Sequence, residues 1–248
     1  MKNITYAWKE NRGERKYRED SVSVSGKDGH WLFVLADGLG GMGYGAVASR
    51  TAVEAAVAAF HEHKEHNADG NVLIRAVEAA QEAVLRCQKE KPEYRDMATT
   101  ITALEIDGDT ARWIHIGDSR IYFFRDGRFK TRSKDHSVPQ MLANAGMIRE
   151  EEIRAHPDRS RLLRAVGQDW RGAEVWVLSE PLLLQPGDSF LICSDGLWEW
   201  VTGGKMTEFL RQSNSPEEWL GKVEAEAVRL GQGRGMDNFS EICVWVHD

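Results

Sequence analysis

The sequence predicts an α+β fold: a four-layer α-β-β-α sandwich of two antiparallel sheets flanked by helix pairs. Three observations carry that expectation. Strands and helices arrive in blocks instead of in strict alternation, which argues against a parallel βαβ sheet. The block beyond Ala98 holds strand pairs marked by Asp-Gly turns at 107–109 and 125–128, and such turns impose antiparallel hairpins. Two long helical segments then follow one another directly between strand blocks, enough for one covering layer.

Along the chain, ITYAW (4–8) and SVSVS (21–25) alternate or enrich β-formers. WLFVLA (31–36) is a continuous apolar run of the kind covered on both faces. From Gly43 the pattern becomes an alanine-rich helix, and a second helix is expected from about Asn71 to Lys89. ITALEI, ARWIHIG and IYFFR are the strands that follow. Residues 137–165 are mixed and charged, with a short helical patch at VPQMLANAG. EVWVL, a Pro-Gly-Asp turn at 186–188, the strand SFLICS, two helices around 204–230 and the strand EICVWV complete the order.

At 248 residues, with no Pro/Ser/Gly-rich linker, the chain reads as one domain over 1–248. The 32 Lys and Arg against 39 Asp and Glu give a net charge of -7, which repels a nucleic-acid backbone, so nucleic acid is not an expected partner. The polar N-terminus lacks a signal-peptide core, and no apolar run approaches the ~20 residues of a membrane span. A soluble, cytoplasmic monomer is expected. Cys87, Cys193 and Cys243 are odd in number and far apart, which favours free thiols over a disulfide or zinc framework.

Gly38, Gly40 and Gly43 fit the G-x-G-x-x-G spacing of a dinucleotide loop. That reading needs a parallel second strand after the helix, where this sequence has another helix and then hairpins. Asp37 would also turn its charge on a pyrophosphate. An aspartate ending a buried strand, beside glycines that let carbonyls approach, is better suited to a hard divalent cation. Further acids stand at other strand ends: Glu19-Asp20, Asp118, Asp195 and Asp237. Any one of them reads as an ordinary solvated acid, but together and unpaired they would repel, and shared cations account for the group.

With these residues assembled, the chain resembles the bacterial form of the metal-dependent serine/threonine phosphatases of the type 2C family. RKYRED (15–20), LADGLGG (35–41), ATTITAL (98–104), IGDSRIYFFRDG (116–127), KDHS (134–137), CSDGLWEWV (193–201) and MDNFS (236–240) carry the likeness in order. The resemblance implies hydrolysis of phosphoserine and phosphothreonine by a metal-activated water at a binuclear Mn or Mg centre. Asp37 would bridge the two ions, with the Gly38 carbonyl on one and Asp195 and Asp237 on the other. Asp118 with Asp195 would hold a third ion. Glu19 and Asp20 would hold waters around the centre, and Arg15 would grip the substrate phosphate. Phosphorylated proteins, among them a serine/threonine kinase or its targets, would be the partners. Gly40, Gly41 and Gly43 would turn the chain tightly past the metals.

Some positions depart from the pattern. Leu39 stands where many eukaryotic members place a histidine credited as general acid. Arg18 replaces an asparagine, and reads equally as a phosphate attractor or a solvated arginine. Asn238 and Ser119 are expected to hold backbone, and His136 to be structural. His61, His63 and His66 read as a polar helix face, and Trp198 and Trp200 as core or site wall. Residues 137–165 correspond to the family's variable flap, where Arg159, Arg161 and Arg164 either meet acidic or phosphorylated substrate or stay solvated. A catalytically silent binding relative and a small-molecule phosphohydrolase are the competing functions.

Overall fold

A computed structural model of the chain describes residues 2–40, 43–66, 71–171 and 175–248. The hairpins form where the turn chemistry places them. Arg125 pairs with Arg128 across Asp126 and Gly127, at φ 51° and 63°, and Asp107 pairs with Thr110 across Gly108 at φ 58°. A third Asp-Gly turn, unremarked in the sequence reading, sits at Asp28-Gly29 (φ 54° and 82°) and closes Lys27 onto His30. Both of its central residues adopt the positive φ that a tight two-residue hairpin demands.

The elements are β1 (Asn3–Asn11), β2 (Asp20–Lys27), β3 (His30–Leu39), α1 (Tyr44–His66), α2 (Val72–Glu90), β4 (Ala98–Thr99), β5 (Ile101–Asp107), β6 (Thr110–Ile116), β7 (Arg120–Arg125) and β8 (Arg128–Arg132). They continue through α3 (Val138–Asn144), β9 (Val177–Leu178), β10 (Leu182–Leu183), β11 (Asp188–Cys193), α4 (Asp195–Trp198), α5 (Gly203–Arg211), α6 (Pro216–Gly231) and β12 (Phe239–His247). One sheet runs β1-β12-β11-β7-β8 and the other β10-β6-β5-β3-β2, with β4 on β3 and β9 on β6, and every pair is antiparallel. The expected strand at EVWVL shrinks to Val177–Leu178, and its Glu174 lies outside the described residues, as does Gly41.

Strand alternation builds the layers. In β3, Phe33 and Leu35 face the other sheet, joining Phe190, Ile192, Ile242 and Val244 in the central core. Leu32, Val34 and Ala36 face the opposite way, onto α1 and α2. The continuous apolar run is thus covered on both faces, as its composition requires. The partner sheet sends Phe124, Leu191, Cys193 and Cys243 outward against Met206, Trp219 and Val223 of α5 and α6. Cys193 and Cys243 are buried free thiols and Cys87 is a half-buried one.

Caps fix where the helices begin. Asn71 Oδ1 accepts from the Leu73 amide at 2.9 Å, and Ser215 precedes Pro216 at the first turn of α6 and accepts from the Glu218 amide. Ala48, Ala52 and Ala56 recur every four residues on α1 and are fully buried, so small side chains let that helix lie close on the sheet. No helix among the described residues is long and apolar enough to cross a membrane.

Candidate metal centre

Strand register gathers the acids at one end of the sandwich. Asp20 opens β2 directly opposite Asp37 near the end of β3. β11 ends at Cys193, paired on one side with Arg120 at the start of β7 and on the other with Glu241 of β12. The turn before β7 carries Asp118, the segment after β11 carries Asp195, and the residue ahead of Asn238 and β12 is Asp237. Asp37, Asp118 and Asp20 are buried.

Such proximity is expensive for like charges out of water. Burial pushes Asp37 well above the ordinary carboxylate range, and the charges of Asp20, Asp195, Asp118 and Asp237 add to it. Asp195 is raised in the same way by burial and by Asp118. Asp20 is pushed up to about 7, mainly by burial, against the help of its Ser194 hydrogen bond. Asp118 is also raised to about 7, by burial and then Asp135. Asp20 Oδ1 is buried with no hydrogen-bond donor, and Glu19 Oε1 lies against Gly45 without a well-formed one. Buried, mutually repelling carboxylates with an orphaned oxygen fit a hard divalent cation, which would offset all of these costs at once.

The acids do not all converge on one point. Among the described residues no three acidic, histidine or cysteine side chains close on a common centre tightly enough to hold a cation alone. Asp237 is turned toward Arg15, whose Nη2 donates to Oδ2 at 2.6 Å, while Asn238 donates its amide and Nδ2 to Oδ1 at 2.8 and 2.9 Å. Arg15 thus lies beside the acids as expected, engaged with one of the expected ligands. Cations of the magnesium type keep several waters, so few direct side-chain ligands suit them.

The backbone around Asp37 is clamped by Thr99 and Thr100, which the sequence reading passed over. Thr100 Oγ1 accepts from the Asp37 amide at 2.9 Å, and Thr99 Oγ1 donates to the Asp37 carbonyl at 2.8 Å. Ser119 Oγ pairs with Thr100 Oγ1 at 2.8 Å, so Ser119 steadies Asp37 one step removed. Ser194 Oγ donates to Asp20 at 2.8 Å, and Asn238 Oδ1 accepts from the Glu19 amide at 2.6 Å, which is the backbone role expected of Asn238. The motifs ATTITAL and CSDGLWEWV held these hydroxyls in plain view, but a hydroxyl that works through hydrogen bonds leaves no charge pattern to find.

Glycine permits the close approach. A Cβ on Gly38 would sit 2.1 Å from the Gly45 carbonyl oxygen, and one on Gly45 would sit 2.7 Å from Gly38. Gly38→Ala is therefore expected to lose at least about 2 kcal/mol of stability, since backbone cannot step aside as a side chain can. Gly221→Ala, within α6 where no atom lies within 4 Å of the new methyl, is expected to gain about 0.5 kcal/mol. Urea unfolding of both variants checks the contrast, and equal effects would contradict the packing.

The remaining candidates sort clearly. Arg18, half exposed, pairs with Glu10 at 3.4 Å and lines a groove with Asp20, Arg50 and Glu54, not the pocket of Arg15. Arg159 reaches that pocket and pairs with Glu199, whereas Arg164 donates to the Val175 carbonyl at 3.1 Å. Arg161 is exposed and does not line the pocket. His136 accepts from the Gly117 amide at 3.3 Å and stacks on His115, and burial pulls it down to about 3, a structural neutral ring. His61 is exposed and bonds Ser25 at 2.8 Å, whereas His63 Nδ1 is buried, so the helix face is less uniformly polar than expected. The His66 side chain lies outside the described residues. Trp198 is core, and its Nε1 donates to the Asp118 carbonyl at 2.9 Å, while Trp200 walls the pocket.

Comparison with known proteins places this geometry. The model of a family described as protein phosphatase 2C matches residues 9–228. The serine/threonine protein phosphatase PstP of Mycobacterium tuberculosis is 34% identical over 253 residues, covering 99% of this chain and 45% of the relative. The chain thus spans a little under half the length of the first curated relatives it matches. A crystal structure of the M. tuberculosis phosphatase superposes with TM-score 0.84 at 33% identity, over 99% of both chains. One of a PstP catalytic domain, in complex with two manganese ions, gives TM-score 0.81 at 31% identity over 99% of both. With the two-sheet fold and the acids at its strand ends in agreement, the chain belongs to the protein phosphatase 2C family.

Proposed function

We propose that the chain is a metal-dependent phosphoprotein phosphatase that hydrolyses phosphoserine and phosphothreonine. The observation that carries this reading is the set of buried acids at one end of the sandwich whose repulsion calls for cations, of which Asp195 shares a cleft with Asp237 and the exposed guanidinium of Arg15. Asp37, the Gly38 carbonyl, Asp195 and Asp237 would hold two Mn or Mg ions, Asp118 with Asp195 a third, and Glu19 and Asp20 their waters. The manganese pair in the PstP catalytic domain supports the choice of metal. When bound, such a pair makes a hydroxide available near neutral pH and neutralises charge on the phosphoryl oxygens.

The chain's own residues do the rest. Thr99, Thr100 and Ser119 fix the Asp37 backbone so that its carboxylate is preorganised. Arg15, about half exposed, can leave Asp237 for a phosphate, because its planar fork matches phosphoryl oxygens in a way a lysine does not. Leu39 offers no proton to the leaving oxygen, and among the described residues no histidine lines the pocket of Arg15, Asp195 and Asp237. Residues 1–248 act as one catalytic domain with a flap at 137–165, working in the cytoplasm as a monomer on phosphorylated proteins, among them a serine/threonine kinase or its targets.

Turnover of a phosphothreonine peptide and of p-nitrophenyl phosphate, with Mn present and then chelated, tests the reading. Mn-dependent hydrolysis of both, with the peptide preferred in kcat/KM, is expected. Hydrolysis of small esters alone would favour a small-molecule phosphohydrolase, and no turnover of either would favour a silent binding relative.

A further inference from the structure

The pocket beside the acids holds more positive charge than its own carboxylates engage. It encloses about 270 Å³ and is lined by Arg15, Arg154, Arg159 and Arg234 together with Asp195, Asp237 and Glu199. Arg15 pairs with Asp237 and Arg159 with Glu199. Arg154 and Arg234 have no carboxylate partner among the described residues. Arg154 donates one long hydrogen bond, 3.4 Å, to the Glu199 carbonyl, and Arg234 stands 5.8 Å over the ring of Trp200.

Both arginines are carried on anchored backbone. Arg154 lies on the 3-10 turn 150–155 of the flap, next to Ile153, which is buried in the core under α5 and α6. Arg234 lies on the loop after α6, which Glu14 ties down by accepting the amides of Gly233, Gly235 and Met236 at 2.5, 2.8 and 3.2 Å. A cation held in place but unpaired attracts an anion without first giving up another partner. Burial pulls Arg154 below its ordinary value, and nearby Arg120 and Arg132 work in the same direction against Tyr122 and Glu199, so an incoming anion also relieves a cost already present.

We propose that Arg154 and Arg234 form an anion subsite next to the phosphoryl position, selecting phosphorylated segments that carry a second anionic group beside the target phosphoresidue. That group is an acidic side chain or a second phosphate, which share the same chemistry. The inference rests on the phosphatase reading and deepens it from phosphoproteins in general to anionic segments. Asp195 and Asp237 do not oppose it, since the cations of the centre would meet their charge, and Glu199 is matched by Arg159.

Three phosphothreonine peptides differing at the neighbouring positions, with Ala, Asp or a second phosphothreonine, test it in the presence of Mn. The readout is the ratio of kcat/KM for each anionic peptide over the Ala peptide, taken within each variant, so that loss of folded protein cancels. The wild type is expected to favour at least one anionic peptide about tenfold, near the lower end of what a charge-assisted hydrogen bond contributes. Arg154→Gln and Arg234→Gln should each cut that preference to about threefold, and the double variant should abolish it; the arm that responds identifies the source of the anion. A wild type that turns over p-nitrophenyl phosphate and all peptides without preference overturns the subsite and leaves the phosphatase standing. A preference that survives in the double variant also overturns it. No turnover of any phosphoester overturns both.

Discussion

Asp37→Asn is expected to raise the thermal midpoint of the chelated protein while abolishing both the Mn-induced rise in that midpoint and Mn-dependent turnover. In the absence of cations the Asp37 charge is held by burial and by four neighbouring aspartates at a cost. Removing it should recover about 2 kcal/mol, or roughly 5 °C for a chain of this size. The same carboxylate is the expected bridge between the ions, so the variant should no longer gain the ~2.7 kcal/mol that ligand at a hundredfold its Kd confers. Loss of a centre worth several kcal/mol at the transition state corresponds to about a 10³-fold drop in kcat/KM. His63→Ala, on the α1 face against α2 and away from the acids, should leave turnover unchanged.

The pH dependence of the stability change separates charge repulsion from a packing effect. A carboxyl raised in the folded state binds protons more readily there than when unfolded, so the chelated wild type loses stability as pH rises from the unfolded value near 4. For Asp20 and Asp118 that loss develops up to about 7, and Asp37, raised in the same direction by burial and then by Asp20, adds to it. The advantage of Asp37→Asn should therefore be greatest at pH 8 and shrink toward pH 4. A gain independent of pH, or a destabilised variant at pH 8, would contradict the electrostatic account.

What was legible in the sequence follows from which interactions leave a pattern. Antiparallel pairing and the layering came from hairpin turns and apolar runs, because two-residue Asp-Gly turns and doubly covered strands restrict residue type locally. The acids at the strand ends stood out because unpaired carboxylates after apolar strands need an explanation. The Asp237–Arg15 contact did not, since residues 222 positions apart meet through the β1–β12 pairing and the bond from the Glu14 amide to the Met236 carbonyl. The same is true of Arg154 and Arg234. A surface arginine and an unpaired pocket arginine are identical in sequence, and only the loop tied by Glu14 and the buried Ile153 tell them apart. The hydroxyl clamps on Asp37 and Asp20 were hidden for a different reason: threonine and serine are ordinary strand residues, and their direction is decided by the fold.

The largest stability effect should come from a pair behind the site. Arg120 donates Nε and Nη2 to Asp135 at 2.8 and 2.7 Å, with both side chains at most 5% exposed, and its guanidinium lies 3.5 Å over the Trp198 ring. Burial works against the Arg120 charge, but the Asp135 carboxylate, helped by the Tyr122 hydroxyl that accepts from Nη1 at 3.3 Å, outweighs it and keeps the group protonated. Arg132 adds only a marginal bond of 3.3 Å to Asp135. Asp135→Ala leaves a buried cation without its partner and should cost about 3–5 kcal/mol, lowering the thermal midpoint by roughly 10 °C. Replacing both charges, as Arg120→Met with Asp135→Leu, removes the desolvation cost along with the attraction and should recover at least half of that loss. Because Trp198 holds the Asp118 carbonyl, Asp135→Ala should also weaken the response to the metal proposed at Asp118, read as a higher Mn concentration for half-maximal turnover. A single variant within about 1 kcal/mol of wild type, or a double variant worse than the single, would show that the ion pair is not what fixes Trp198 beneath the acids.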